Sequence, residues 1–568
     1  MKRSTICLFI AAIAAMKQTA QAHTPKTYCN PVDLPYRFCL VQPSRREAAD
    51  PTMVVFDNKY WLFASKFGGY WWTVDFVNWN FVQPTGLPIE DYAPTVVVAG
   101  GNMYYTAGSA GIYRTADPAA GAWTKASDTA HLADPDLFLD DDGKIYLYSG
   151  CSDGGPIVGQ ELDLSFHPIG ERVDLVSADI AHHGGEILAE PDAAPPYNPK
   201  TSWIEGPWMM KHGGKYFLEY AAPGTEFKAY NDSISVADSP LGPFTFAPYS
   251  PFSFKPTGFI AGAGHSSSFQ DLGGRYWHIA TMTISVRHSF ERRLGLFPMW
   301  YTHDNQAVCD TYLGDYPQYL PGQVKDPSKG NSPGWMLLDY KKPATASSTL
   351  DGHPALDAVN EDIRTWWSAT SGNPGEWLQV DMGKPCRVNA VQINFADQGS
   401  TQLGRLTDGY GYTLEVSVDG QKWSTIVDRS VDRKDSPHDY TELDKPVTAR
   451  YARLTNTHTP AGALFSVSGL RLFGSGLGMA PAVVKNVEVS RNASDQRQAS
   501  IRWDAVDGAV GYIVRYGIAP DRLFSNYQVY HSTSLAIHTL NVGVDYYFAV
   551  DSFNDSGVSH GHPVDKAH

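Results

Sequence analysis

Five times before residue 322 the same pattern of apolar and polar positions returns. A Pro or Ser opens four or five mostly apolar residues, a Gly/Asn/Asp turn follows, and an aromatic-rich apolar run closes the unit. The copies are PTMVVFDNKYWLFAS from Pro51, PTVVVAGGNMYYTAG from Pro94, PDLFLDDDGKIYLYSG from Pro135, PWMMKHGGKYFLEYAA from Pro207 and SSSFQDLGGRYWHIAT from Ser266. Short apolar runs on either side of such a turn predict a β-hairpin, because Gly, Asn and Asp tolerate the positive φ that reverses a twisted strand pair. The starts are 43, 41, 72 and 59 residues apart. That spacing fits four-stranded propeller blades, the wider intervals carrying loop insertions. Five copies predict five blades; a β-sandwich built from similar hairpins is the alternative.

Two further blocks alternate apolar and polar residues in short strands. The first, near Asp339 to Gly474, contains TWWSATSGNPGEWLQVDMG, GYTLEVSVDGQKWSTIVD and ARYARLTNTH. The second follows Ala480 with SIRWDAVDGAVGYIVRYG and DYYFAVDSFNDSG. Both patterns predict β-sandwiches. Gly474-Ser475-Gly476 and Ala480-Pro481 read as a linker. The fold class is therefore all-β: a five-bladed propeller over residues 23–325, then two β-sandwich modules over 335–475 and 480–568.

Composition narrows the function. The 568 residues carry 45 Lys+Arg against 60 Asp+Glu, a formal net charge of −15. No basic surface is available to release counterions, which excludes a general nucleic-acid binder. With 51 Gly, 38 Pro and 12% aromatic residues, the chain reads as turn-rich β-structure rather than disorder or coiled coil. Lys2 and Arg3 precede an apolar run from Ile6 to Ala15, and Ala20-Gln21-Ala22 offers a small-residue cleavage site. Residues 1–22 are read as a secretory signal peptide, the run being too short to span a bilayer; a short uncleaved anchor is the alternative. The mature protein is expected in the periplasm or outside the cell, as a monomer without a membrane partner. Five cysteines remain, at 29, 39, 151, 309 and 386, with no metal-binding spacing. Cys29 and Cys39 are spaced to close a small disulfide loop in an oxidising compartment, and the others are expected to be buried.

Three acids occupy related places in three repeats. Asp50 and Asp134 immediately precede the opening Pro of the first and third copies, and Glu205 stands two residues before that of the fourth. Equivalent positions in successive blades converge on the propeller axis, so acids far apart in sequence would share one pocket. Like charges held close cannot all stay ionised cheaply, and one carboxyl is pushed toward a raised pKa. Glycoside hydrolysis uses such a set: one protonated carboxyl and one carboxylate. The alternative for each acid taken singly is a turn or capping residue. Asp140–Asp142 fall in the hairpin turn and are read as solvated.

These motifs carry a resemblance. ADP at Ala49–Pro51, ADPDLFLDDDGKIYL at Ala133–Leu147, IEGPW at Ile204–Trp208, GHSSSF at Gly264–Phe269 and FERRLGLFP at Phe290–Pro298 resemble the family 43 glycoside hydrolases, in order and in blade register, over residues 25 to about 322. The resemblance implies that Asp50 is the general base, Glu205 the general acid, and Asp134 the carboxylate that orients the acid and tunes its pKa. It also implies inversion, for which two carboxyls about 6.5–9.5 Å apart admit a water. His265 matches an axial histidine that lies beside a hydrated calcium ion in many members, so a structural calcium is expected there. Trp72 and Trp203 are expected to stack on the sugar, with blade packing as the alternative. Of Arg292 and Arg293, one is expected to meet substrate or an acid and the other to be exposed; Arg292 is favoured. The sequence departs from the family at DYAPTVV, where Tyr92 and Thr95 replace a Trp and an Asp common in members. That alters the expected shape of the pocket.

EWLQVDMG at Glu376–Gly383 and VSVDGQKW at Val416–Trp423 resemble discoidin-like, coagulation-factor type C modules, with Trp366 and Trp367 as either loop contacts or core. The last block resembles fibronectin type III, with Trp503 in its core and Tyr546 or Tyr547 at its corner, and is expected to be a spacer. The whole implies an exported, inverting glycosidase that removes terminal α-L-arabinofuranosyl or β-D-xylosyl residues from polysaccharide. A β-D-galactofuranosidase is the first alternative, and a non-catalytic glycan-binding protein the second.

Overall fold

A computed structural model describes residues 25–129, 131–187, 202–460 and 462–567; the signal-peptide reading of residues 1–22 falls outside them. Among the described residues there is no α-helix, only three short 3-10 turns. Each of the five repeats forms its hairpin, and each hairpin supplies the first two strands of a sheet. The first blade is Thr52–Phe56, Lys59–Phe63, Tyr70–Thr73 and Asn80–Val82, hydrogen-bonded in that order. The second is Thr95–Ala99, Asn102–Thr106, Ile112–Thr115 and Thr124–Ser127, and the third Asp136–Leu139, Ile145–Ser149, Ile157–Leu162 and Pro168–Val176. The fourth is Trp203–His212, Lys215–Ala222, Asn231–Ala237 and Thr245–Phe246; Cys151–Asp153 pairs with its first strand, and Ser253–Phe254 with its third. The fifth is Ala261–Gln270, Tyr276–Thr283, Arg292–Tyr301 and Ala307–Cys309. The first strand of each blade lies against that of the next, and the fifth against the first. The sheets are therefore arranged in a ring as a five-bladed propeller, which leaves each blade only a short outer edge.

Aromatic residues fill the spaces between blades. Trp61, Trp71 and Trp277 are each at most 1% exposed. Asp140 departs from the solvated turn expected of it. It is buried, accepts from the Tyr216 hydroxyl at 2.5 Å and pairs with Lys211 at 2.5 Å, so it fastens the third hairpin to the fourth blade. The predicted disulfide does not form. The Cys29 thiol donates to the Asp315 carbonyl at 3.2 Å and the Cys39 thiol to Glu47 at 3.1 Å; each sulfur is buried against its own acceptor.

The second module is a wrapped sheet whose two long strands, Trp377–Phe395 and His438–His458, bend through register shifts around a core that includes Trp367. Trp367 is fully buried, while Trp366 stacks on His353 at 4.6 Å. The third module packs Glu488–Arg491, Ala499–Arg502 and Ser534–Ile537 against a sheet built on Gly511–Gly517 and Tyr546–Asn554, with Trp503 and Tyr546 in its core.

Neither module is a detached spacer. Arg46, fully buried, pairs with Asp397 at 2.8 Å and Asp435 at 2.9 Å in the second module. Breaking such a pair leaves a buried charge uncompensated, at a cost of about 3–5 kcal/mol. Arg471 of the second module pairs with Glu361 and also donates to the Asp315 carbonyl at 2.7 Å. Phe254 of the propeller completes the third module's core, and Asn541 donates to the Ser250 carbonyl at 2.7 Å. The spacer expectation fails because these joints are made by buried polar groups that a sequence shows only as ordinary surface residues.

Candidate active site

The innermost strand of every blade has one residue with left-handed backbone just before it or within its first half. They are Asp50 (φ 51°), Ala93 (φ 50°), Asp134 (φ 47°), Gly206 (φ 57°) and His265 (φ 41°). Four precede the Pro that opens the repeat and the fifth precedes Ser266. The conformation costs a non-glycine residue about 1–2 kcal/mol and persists where neighbours over-determine it. The Asp50 amide donates to Thr281 Oγ1 at 2.8 Å, and the His265 amide to Asp232 Oδ1 at 2.8 Å. Repeated around the ring, the kink brings the side chains of Asp50, Asp134 and His265 together. Gly206 is required twice over: its φ is positive, and a Cβ there would stand 2.5 Å from the His265 ring. Glu205 sits one position earlier, beside a register shift in its pairing with the next strand.

These four residues and Arg292 line a cleft of about 330 Å³. His265 Nδ1 lies 3.4 Å from Asp50 Oδ1 and 3.6 Å from Asp134 Oδ2. Asp134, Cys151 and Glu205 present an oxygen, a sulfur and an oxygen all within 4.8 Å of one another. Arg292 donates to Asp50 Oδ1 at 3.2 Å and to Glu47 at 2.7 Å, and the Ser65 hydroxyl donates to Asp50 Oδ2. Burial alone would raise the Asp50 pKa; Arg292, His265 and Ser65 outweigh it and hold the carboxyl below its ordinary value. Asp134 goes the other way. Burial, opposed by His265 and reinforced by Glu205 and Asp50, pushes it up to about 7. His265 loses by burial but gains more from Asp50, Asp134 and Glu205, so its pKa is raised. One carboxyl held below its ordinary value and another raised above it, in a single cleft, is the kind of separation that acid–base hydrolysis uses.

Glu205 is surrounded by donors. Its Oε1 accepts from the Tyr230 hydroxyl, and its Oε2 accepts from Trp203 Nε1 at 2.6 Å and from the Cys151 thiol at 3.4 Å. Trp203, 41% exposed, thus stands at the acid with a face open to solvent. Trp72 does not reach the cleft. It packs on Trp61 at 6.1 Å and under Lys59 at 5.2 Å, because its position in the third strand of its blade turns it outward, away from the axis. Arg293 is buried rather than exposed, donating to His438 of the second module at 2.8 Å. Sequence reasoning missed Tyr230, Cys151, Ser65, Thr225 and Phe290 as parts of the site. Tyr92, noticed only as a departure, lines the cleft edge-to-face with Phe290 at 6.0 Å. The signal for Cys151 was its place just after the third hairpin, where that chain pairs with the strand of Glu205.

Residues 44–307 match the model of glycosyl hydrolases family 43, and residues 343–467 that of the F5/8 type C domain. Part of the chain is 26% identical over 209 residues to a xylosidase/arabinosidase 43A of Humicola insolens, covering 32% of this chain and 60% of that protein. It is 30% identical over 119 residues to a beta-D-galactofuranosidase of Aspergillus niger, covering 21% of this chain and 28% of that protein. In neither case does the match reach two thirds of the relative's length. A crystal structure of a thermostable family-43 glycoside hydrolase superposes with a TM-score of 0.42 at 20% identity, covering 53% of this chain and 100% of that one. By the two family matches, residues 44–307 are a family 43 glycosyl hydrolase domain and residues 343–467 an F5/8 type C domain.

Proposed function

We propose that the protein is an exported glycoside hydrolase that removes terminal furanosyl or pentosyl residues from polysaccharide with inversion, of the α-L-arabinofuranosidase or β-xylosidase type. The observation that carries this reading is the convergence of Asp50, Asp134 and Glu205 on one cleft with Asp50 held ionised beside Arg292. In this reading Asp50 takes a proton from water as it attacks the anomeric carbon, and Glu205 protonates the departing oxygen. Asp134, its carboxyl pKa raised by burial and by the nearby acids, stands beside Glu205 and orients it. Trp203 presents its exposed face to the sugar and its N–H to the acid. Arg292 and His265 fix Asp50 and Asp134, and each also faces the cleft.

The expected calcium is retained as a proposal at the axis. His265 turns Nδ1 to Asp50 and Asp134, which leaves Nε2 as the ring nitrogen that would face a metal. A calcium ion held there through Nε2 and water would supply positive charge next to the carboxylates. A β-D-galactofuranosidase on the same site is the second reading. It is favoured by Tyr92 in place of the family's Trp, which leaves the rim of the cleft smaller on that side. The third module's fold supports the fibronectin type III reading, and the second module is proposed to hold the same polysaccharide. The test is hydrolysis of aryl α-L-arabinofuranoside, β-D-xyloside, β-D-galactofuranoside and β-D-galactopyranoside, with Asp50→Ala as control. Activity on one sugar that is lost in the variant supports the assignment and names the substrate. Binding of polysaccharide without turnover on any sugar, polymer included, supports a glycan-binding protein instead.

A further inference from the structure

A second cluster of acids and histidine lies between the fourth and fifth blades, outside the cleft. Glu219 stands on Lys215–Ala222, Asp232 on Asn231–Ala237 and His278 on Tyr276–Thr283. The three are 1%, 1% and 0% exposed, and each offers one ligand atom within 4.8 Å of the others. Among the described residues no Lys or Arg pairs with either acid. Three of their polar atoms, Glu219 Oε2, Asp232 Oδ2 and His278 Nε2, are buried without a hydrogen bond.

Counting protons shows why this arrangement is incomplete as it stands. The Ser268 hydroxyl has one proton, which it donates to Glu219 Oε1 at 2.7 Å. Its contact with His278 Nδ1 at 2.9 Å must then be one in which the ring N–H donates and the serine oxygen accepts. That leaves a lone pair on Nε2, 3.5 Å from the acceptor Asp232 Oδ2. Two acceptors facing each other in a dry interior carry the full cost of desolvation. Glu219 is in the same position. Its Oε2 is buried without a hydrogen bond. A positive centre between the three atoms removes all of these costs at once.

We propose that Glu219, Asp232 and His278 bind one divalent transition-metal ion, of the zinc or manganese kind, which pins the fourth blade to the fifth. One imidazole nitrogen with two carboxylate oxygens suits such ions, whereas calcium takes six or more oxygens. Zinc ligands about 2.0–2.1 Å from the metal stand about 3.3 Å apart in a tetrahedral site, close to the 3.5 Å between Nε2 and Oδ2. The Ser268–Glu219 link to the far ring nitrogen is the outer-shell bond that fixes a ligating histidine's tautomer. The role is structural, and its effect reaches the cleft through Asp232, whose Oδ1 accepts the His265 amide.

The experiment is metal analysis of the full chain together with refolding. Wild-type protein is unfolded in chelator, then refolded with Zn2+, with Mn2+, with Ca2+ or with none. About one equivalent of zinc or manganese is expected to remain after desalting, with Tm about 5 °C or more above the metal-free sample. His278→Gln and Asp232→Asn are expected to hold under about 0.1 equivalent and to melt at the same temperature with and without metal. Wild-type protein that retains no zinc or manganese and melts identically in all four preparations would overturn the proposal, leaving a proton as the shared positive charge. Retention of calcium alone would overturn it too. The wild-type measurements decide the matter even where a variant fails to fold.

Discussion

The axial cluster around His265 and the cluster around His278, bridged by Asp232, are made of nearly the same residue types. At the axis three carboxyls surround His265, with Arg292 as a fixed cation and a cleft open to water. Between the blades two carboxyls surround His278 with no arginine or lysine and no solvent. In the first, counter-charge is unequal, so Asp50 is pulled down while Asp134 is pushed up, and proton transfer becomes available. In the second, all three groups are equally sealed, and among the described residues no lysine or arginine balances the charge. Residue type does not tell a reactive cluster from a structural one; the supply of counter-charge and water does.

The comparison breaks most sharply at Asp50. Asp50→Asn is expected to lower kcat by about 10³-fold on good and poor leaving groups alike, with a modest fall in Tm, since buried Arg292 keeps Glu47 but loses one of its two carboxylate partners. A large fall in Tm with a modest loss of kcat would make the axial cluster structural as well. Glu205→Ala is expected to lower kcat by about 10²-fold or more on oligosaccharides and under about 10-fold on dinitrophenyl glycosides, which leave without a proton. Equal losses would place the acid elsewhere. The pH profile separates the clusters next. Asp134 ionises as pH rises through about 7, which puts a second charge beside Glu205; kcat/KM is expected to change across that range, and Asp134→Asn should remove the change. On the acid side activity persists below the ordinary aspartate range, since Asp50 is held low. The raised Asp134 value also makes its contribution to folding stability complete below its unfolded pKa and lost as pH rises through about 7; urea midpoints measured across that range check the sign. The smallest effect separates two tryptophans: Trp203→Phe, which loses the N–H to Glu205, should cost about 10-fold in kcat/KM, while Trp72→Phe should leave kcat/KM within about twofold.

The five hairpins were legible because each combines turn residues with apolar runs of strand length, and Asp50, Asp134 and Glu205 because they stand one or two residues before the Pro that opens a hairpin. His265 was legible only through resemblance. Its blade position becomes evident once the left-handed residue before each repeat is seen, since Asp50, Ala93, Asp134, Gly206 and His265 share it. Tyr230 and Cys151 were hidden because they reach Glu205 from other strands at offsets no repeat marks. Arg46 and Arg293 look like surface charges in sequence; their partners lie 351 and 145 residues away, and only the docked modules make them buried. Trp72 misled because an aromatic run identifies a strand without saying which of its faces looks inward.

The axial kinks have one more consequence, which concerns time rather than geometry. The groups that hold Asp50 come from the first blade and the last: Ser65 on one side, Thr281 and Arg292 on the other. No shorter stretch of chain contains a working site. Hydrolysis is therefore a clock for ring closure. In a refolding experiment, β-sheet signal should return first and turnover only when the fifth blade meets the first, so the delay between them measures how long the open ring survives.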